Sequence, residues 1–94
     1  MNYVHDVVHT DTGEIIALRH VESFLFGKDS EDEMINKLKG DVVIEVRTIS
    51  GAEYRIYALK AYAKIHGLKD SLKSGAAEII AQAIYDRWIW LLKP

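Results

Sequence analysis

"EVRTISGAEYRIY", residues 45–57, decides how this chain folds. It holds two apolar runs around Ser50-Gly51, with an Arg two residues after each Glu: Glu45-Val46-Arg47 before the turn and Glu53-Tyr54-Arg55 after it. A turn over Ile49-Ser50-Gly51, with Gly51 in a left-handed bulge position, puts Thr48 opposite Ala52. Arg47 then meets Glu53 and Glu45 meets Arg55. On the other face Val46 meets Tyr54, Ile44 meets Ile56 and Val42 meets Ala58. Each opposite-charge pair stabilises the hairpin by roughly 0.2–1 kcal/mol. A one-residue slip would put the wrong set of side chains inside, so the charges fix register. This reading makes the four charges the wet face of a hairpin.

Working towards the N-terminus, Ser30-Glu31-Asp32-Glu33 is a capping box, with acids in the first turn and Lys37, Lys39 and Gly40 at the end. A short helix is expected there. The segment from Arg19 to Phe26 is ambiguous. Val21, Phe24 and Leu25 fit a short helical face, while the run from Ile15 to Val21 can continue as strand. Before it, Tyr3 to Thr10 and Glu14 to Leu18 flank Asp11-Thr12-Gly13 and read as a second hairpin, Gly13 taking a positive φ in a three-residue loop.

Working towards the C-terminus, Ala58 to His66 reads as a helix stopped by Gly67, with Leu68 placed for a Schellman contact. Asp70 or Ser74 is then the expected cap of a last helix that reaches Leu92. Ala77, Ile80, Ile84, Trp88 and Leu91 form its main stripe. Ala76, Ile79, Ala83, Ile89, Trp90 and Leu92 widen that stripe, and Glu78, Gln82, Asp86 and Lys93 leave a narrow polar side. A helix apolar over most of its circumference is buried on more than one side. A domain of 94 residues has little mass to surround it, and the simplest cover is a second copy of the chain.

The expected fold is a single α+β domain over residues 1–94. An antiparallel sheet of about four strands, from two β-hairpins, has a short helix between them and two helices after, the last long and apolar. The formal net charge is −2. Residues 1–40 hold eight acids against four bases, and residues 41–94 six against eight, too little excess for a dedicated nucleic-acid binder. There is no cysteine, which excludes thiolate metal sites and favours a reducing compartment. The N-terminus lacks the pattern of a signal peptide, and Glu78, Asp86 and Arg87 interrupt the most apolar stretch. The expectation is a cytoplasmic protein with no membrane contact.

The sequence offers four kinds of candidate site. His5 and His9 share a face of the first strand, with His20 near by across the hairpin and Asp6 as a carboxylate that zinc could use, but strand residues four apart stand about 13 Å from each other, so no metal site is assigned. Asp41, Glu53 and Arg55 are loosely similar to the Asp…Glu-x-Lys core of metal-dependent nucleases. Arg is a poor stand-in for Lys, and the hairpin register sets Asp41 opposite Leu59, far from Glu53. No catalytic residue or cofactor is assigned, and the chain is read as non-enzymatic. Lys60 and Lys64, and Lys69 and Lys73, sit one helical turn apart with Tyr57 and Tyr62 near by. They form a candidate surface for a phosphorylated small molecule, nucleotide or nucleic acid. The leading expectation is an interaction module of adaptor or inhibitor type. It self-associates as a homodimer or larger and meets a protein partner through Tyr85, Arg87, Ile89, Trp90 and Leu92, residue types that dominate interface hot spots.

Overall fold

The computed structural model describes residues 3–26, 41–67 and 76–93. Strands β4 (Val43–Thr48) and β5 (Glu53–Tyr57) form the central hairpin. Their register is Arg47 with Glu53, Val46 with Tyr54, Glu45 with Arg55, Ile44 with Ile56 and Val43 with Tyr57. The Thr48 amide donates to the Ala52 carbonyl and the Gly51 amide to the Thr48 carbonyl, both at 2.9 Å. Gly51 has φ +88°, which only glycine adopts at little cost. Ile44, Val46, Ile56 and Ala58 are buried. Val43, although on the charged face, is buried as well beside half-buried Tyr57. The wet strip therefore begins at Glu45.

Strands β1 (Val7–His9) and β2 (Ile15–Ala17) form the other hairpin, and Gly13 takes φ +84° in its turn. The two hairpins do not join into one four-stranded sheet. Among the described residues five strands make two antiparallel sheets, β1-β2 and a second in which β4 lies between β5 and a further strand, β3 (Val21–Phe26). The Asp11 amide reaches the Arg55 carbonyl at 2.9 Å and ties the β1–β2 turn to β5. After β2 the chain makes a single 3₁₀ turn, Leu18–His20, which buries Leu18. That turn redirects the chain from one sheet to the other.

The ambiguous segment is a strand, β3 (Val21–Phe26), antiparallel to β4. Val21 pairs with Thr48 and Ser23 with Arg47, so two steps on β3 span one on β4. A bulge of this kind inserts one extra residue. It brings Val21 and Phe24, three apart, to the same buried side. Apolar spacing of three is what a helix produces, and the bulge reproduces it in a strand.

Helix α1 (Ala58–His66) ends at Gly67, whose φ of +67° lets its amide turn back to Ala63 and Lys64. Helix α2 (Ala76–Leu92) buries Ala77, Ile80, Ala81, Ala83, Ile84, Trp88 and Leu91. Full burial of side chains such as Ile80 and Ile84 contributes roughly 1.5–3 kcal/mol each. The Trp88 indole N–H donates to the Val21 carbonyl at 2.9 Å and its ring stacks on Phe24, which locks α2 to β3. On the solvent side Gln82 donates to Asp86 at 2.9 Å. The capping box at 30–33 with its helix, the Leu68 contact and the cap at Asp70 or Ser74 lie outside the described residues. Among the described residues no helix is long and apolar enough to cross a membrane.

Candidate binding surfaces

Two surfaces follow from this arrangement, one apolar and one basic. The apolar surface is on α2. Ile79 and Trp90 are 55% and 58% exposed. Eleven residues of α-helix close to within about 20° of three full turns, so these two side chains share one flank, with buried Ala83 between them. Leu92, 50% exposed, belongs to the opposite flank. It shares that flank with Tyr85 and Ile89, which are half-buried and pack on the core. The Tyr85 ring lies 5.3 Å from that of Phe24 and 6.0 Å from that of Phe26, so this flank continues onto β3.

Arg87 organises the Trp90 flank. Its guanidinium lies 4.3 Å from the Trp90 ring centroid. Its Nε and Nη2 donate to Asp6 Oδ1 at 3.1 and 2.5 Å. A cation held against a ring face contributes about 0.5–1 kcal/mol when exposed. The chain Asp6–Arg87–Trp90 thus holds the indole beside the N-terminal segment, where it stays open to solvent. Trp88 and Leu91, in contrast, belong to the monomer core.

The basic surface is narrower than the run of lysines suggests. Lys60 and Lys64 point into a notch of about 50 Å³ between α1 and the β1–β2 turn, with His9, Asp11 and Tyr57 also on its walls. The Lys60 ammonium sits 5.3 Å from the Tyr57 ring centroid. Tyr62 turns elsewhere: its ring meets that of His66 at 4.2 Å. Lys69 and Lys73 lie outside the described residues.

His5, His9 and His20 are separated. His5 packs against Tyr3 and His66, at ring-centroid distances of 5.5 and 5.1 Å, and its buried Nε2 has no hydrogen-bond partner among the described residues. His9 belongs to the basic notch. His20 lines an open groove of about 490 Å³ with Ile15, Ile49 and Tyr54, a feature that sequence reasoning missed. Its only sequence signal is a pair of exposed isoleucines, Ile15 and Ile49. Among the described residues no group of three or more His, Cys, Asp or Glu is placed to hold a metal ion.

The nuclease-like trio is not assembled. Asp41 accepts from the Val42 and Leu59 amides. Glu53 is at the other end of β4, opposite Arg47, which six residues of strand place about 20 Å away. Arg55 Nε lies 3.9 Å from Glu45, and both side chains are about half exposed. Comparison of the chain with known protein families, curated proteins and solved structures finds no match.

Proposed function

We propose that the protein is a non-enzymatic interaction module that self-associates through the Trp90 flank of α2 and, as an adaptor or inhibitor, engages another macromolecule. The observation that carries this reading is the exposure of Ile79 and Trp90 on a helix whose far side is already buried in the core. Trp and Arg are among the residue types enriched at the energetic centre of interfaces. A helix of 17 residues is about 25 Å long. Two copies crossing along it, each presenting the same stripe to the other, satisfy the self-complementarity of a two-fold contact.

Light scattering on the purified protein tests it. The expected result is a molar mass at least twice that of the chain at high concentration, falling to the monomer in Trp90→Glu with unchanged helical circular dichroism. A strictly monomeric parent protein overturns the proposal, as does a Trp90→Glu variant that stays oligomeric.

A further inference from the structure

The notch between α1 and the β1–β2 turn has a chemistry of its own, independent of the α2 surface. Three nitrogen-bearing side chains converge on it from two elements: His9 from β1, and Lys60 and Lys64 from consecutive turns of α1. The lysines are drawn in. Lys64 Nζ reaches across to the β1–β2 turn, 3.9 Å from where a side chain on Gly13 would begin. Lys60 is held near the Tyr57 ring. One acid, Asp11, shares the walls. Among the described residues no ion pair joins it to either lysine, so the notch keeps a positive excess.

We propose that this notch binds the phosphate group of a phosphate monoester. A space of about 50 Å³ is small beside the roughly 300–1,000 Å³ of a pocket that encloses a whole drug-sized ligand. It takes one compact oxyanion and leaves any sugar or base outside. A monoester carries between one and two negative charges at neutral pH, which two ammonium groups match. Each ammonium offers three donors and the imidazole offers one more. A divalent cation is repelled by the same lysines. A singly charged carboxylate gains less from them. The lack of an interposed side chain at Gly13 leaves the mouth open on the turn side.

Amide-resolved NMR titration at low salt tests the assignment, with four probes: inorganic phosphate, a sugar phosphate, a 5′-nucleoside monophosphate, and an oligonucleotide lacking terminal phosphates. The expected result is saturable shifts centred on His9, Asp11, Lys60 and Lys64 with the first three probes. Affinity should fall about fivefold in each of Lys60→Gln and Lys64→Gln. Both lysines are exposed, so the variants keep the fold. Equal affinity for the two monoesters means that the phosphate alone is read; tighter nucleotide binding means that the base also touches the protein. Lack of saturable shifts at the notch overturns the proposal. So does binding unchanged in the double variant, or a response to the diester oligonucleotide alone.

Discussion

Asp41 Oδ1 accepts a hydrogen bond from the Leu59 amide at 2.8 Å while also accepting one from the Val42 amide at 2.7 Å. Asp41 is 6% exposed. Helix α1 has no side-chain cap from its own N-cap residue, Tyr57. The cap comes from across the hairpin, eighteen residues earlier in the chain. One carboxylate therefore satisfies an otherwise orphaned donor of the first helical turn, places negative charge at the positive end of the helix and closes the base of the hairpin.

Asp41→Ala should accordingly destabilise the protein by about 1–3 kcal/mol, because a cap is lost and a donor is left unsatisfied. Asp41→Asn keeps an acceptor oxygen and should cost less than half as much. Urea unfolding checks both. Equal, negligible losses would show that the carboxylate does not hold α1.

The register of the β4–β5 hairpin is legible in the sequence because three constraints agree there. The positive-φ demand at Gly51, the apolar face from Ile44 to Ala58 and the two Glu–Arg pairs all select one alignment. Segment 19–26 is not legible, because the bulge at Val21/Ser23 gives a strand the apolar spacing of a helix. The split into two sheets is set by pairing between β3 and β4, across the whole segment from 27 to 42, and no local pattern reports such pairing. The position of Asp41 opposite Leu59 can be read from register. Its capping role cannot, because it needs the helix to start where the strand ends. The basic notch is hidden for a similar reason. His9 and Lys64 are far apart in the chain and meet only after the first hairpin docks on α1.

The two tryptophans of α2 separate stability from association. Trp88→Phe removes the donor to the buried Val21 carbonyl and part of the stack on Phe24. It should cost about 1–3 kcal/mol. Trp90→Ala removes an exposed side chain whose main contact is Arg87. It should change the stability of the monomer by under about 1 kcal/mol. Denaturation at low protein concentration, where self-association does not contribute, makes the comparison. A larger loss for Trp90 than for Trp88 would contradict the assignment of Trp88 to the core.

Gly51 isolates a backbone effect. A Cβ at this position meets nothing within 4 Å, so Gly51→Ala introduces no clash with neighbouring atoms. Its cost is the left-handed conformation itself, roughly 1–2 kcal/mol for a residue with a Cβ. Gly51→Asn should cost less, because asparagine tolerates that region better. The order Gly, Asn, Ala in thermal midpoint is the expected outcome. Parity of Ala with Gly would mean that the turn relaxes to another conformation.

Tyr3 gives a pH test of how the N-terminal segment is packed. Its hydroxyl donates to the Val7 carbonyl at 2.7 Å, and burial pushes the phenol well above its ordinary value near 10. In the unfolded chain the phenol ionises near pH 10. Above that pH the unfolded state binds fewer protons at this site than the folded state. The folded pKa is raised, so the stabilising contribution is fully present below pH 10 and is lost as pH rises through the folded value. Stability should therefore hold level up to about pH 9 as far as this group is concerned, then fall at about 1.4 kcal/mol per pH unit. Tyr3→Phe should begin lower at pH 7, by about 0.5–1.5 kcal/mol for the lost hydrogen bond, and should lack that part of the alkaline decline. The difference between the two proteins should shrink between pH 9 and pH 11. A difference that stays constant over that range would show that the Tyr3 phenol ionises freely in the folded protein, and the burial of the segment before β1 would have to be abandoned.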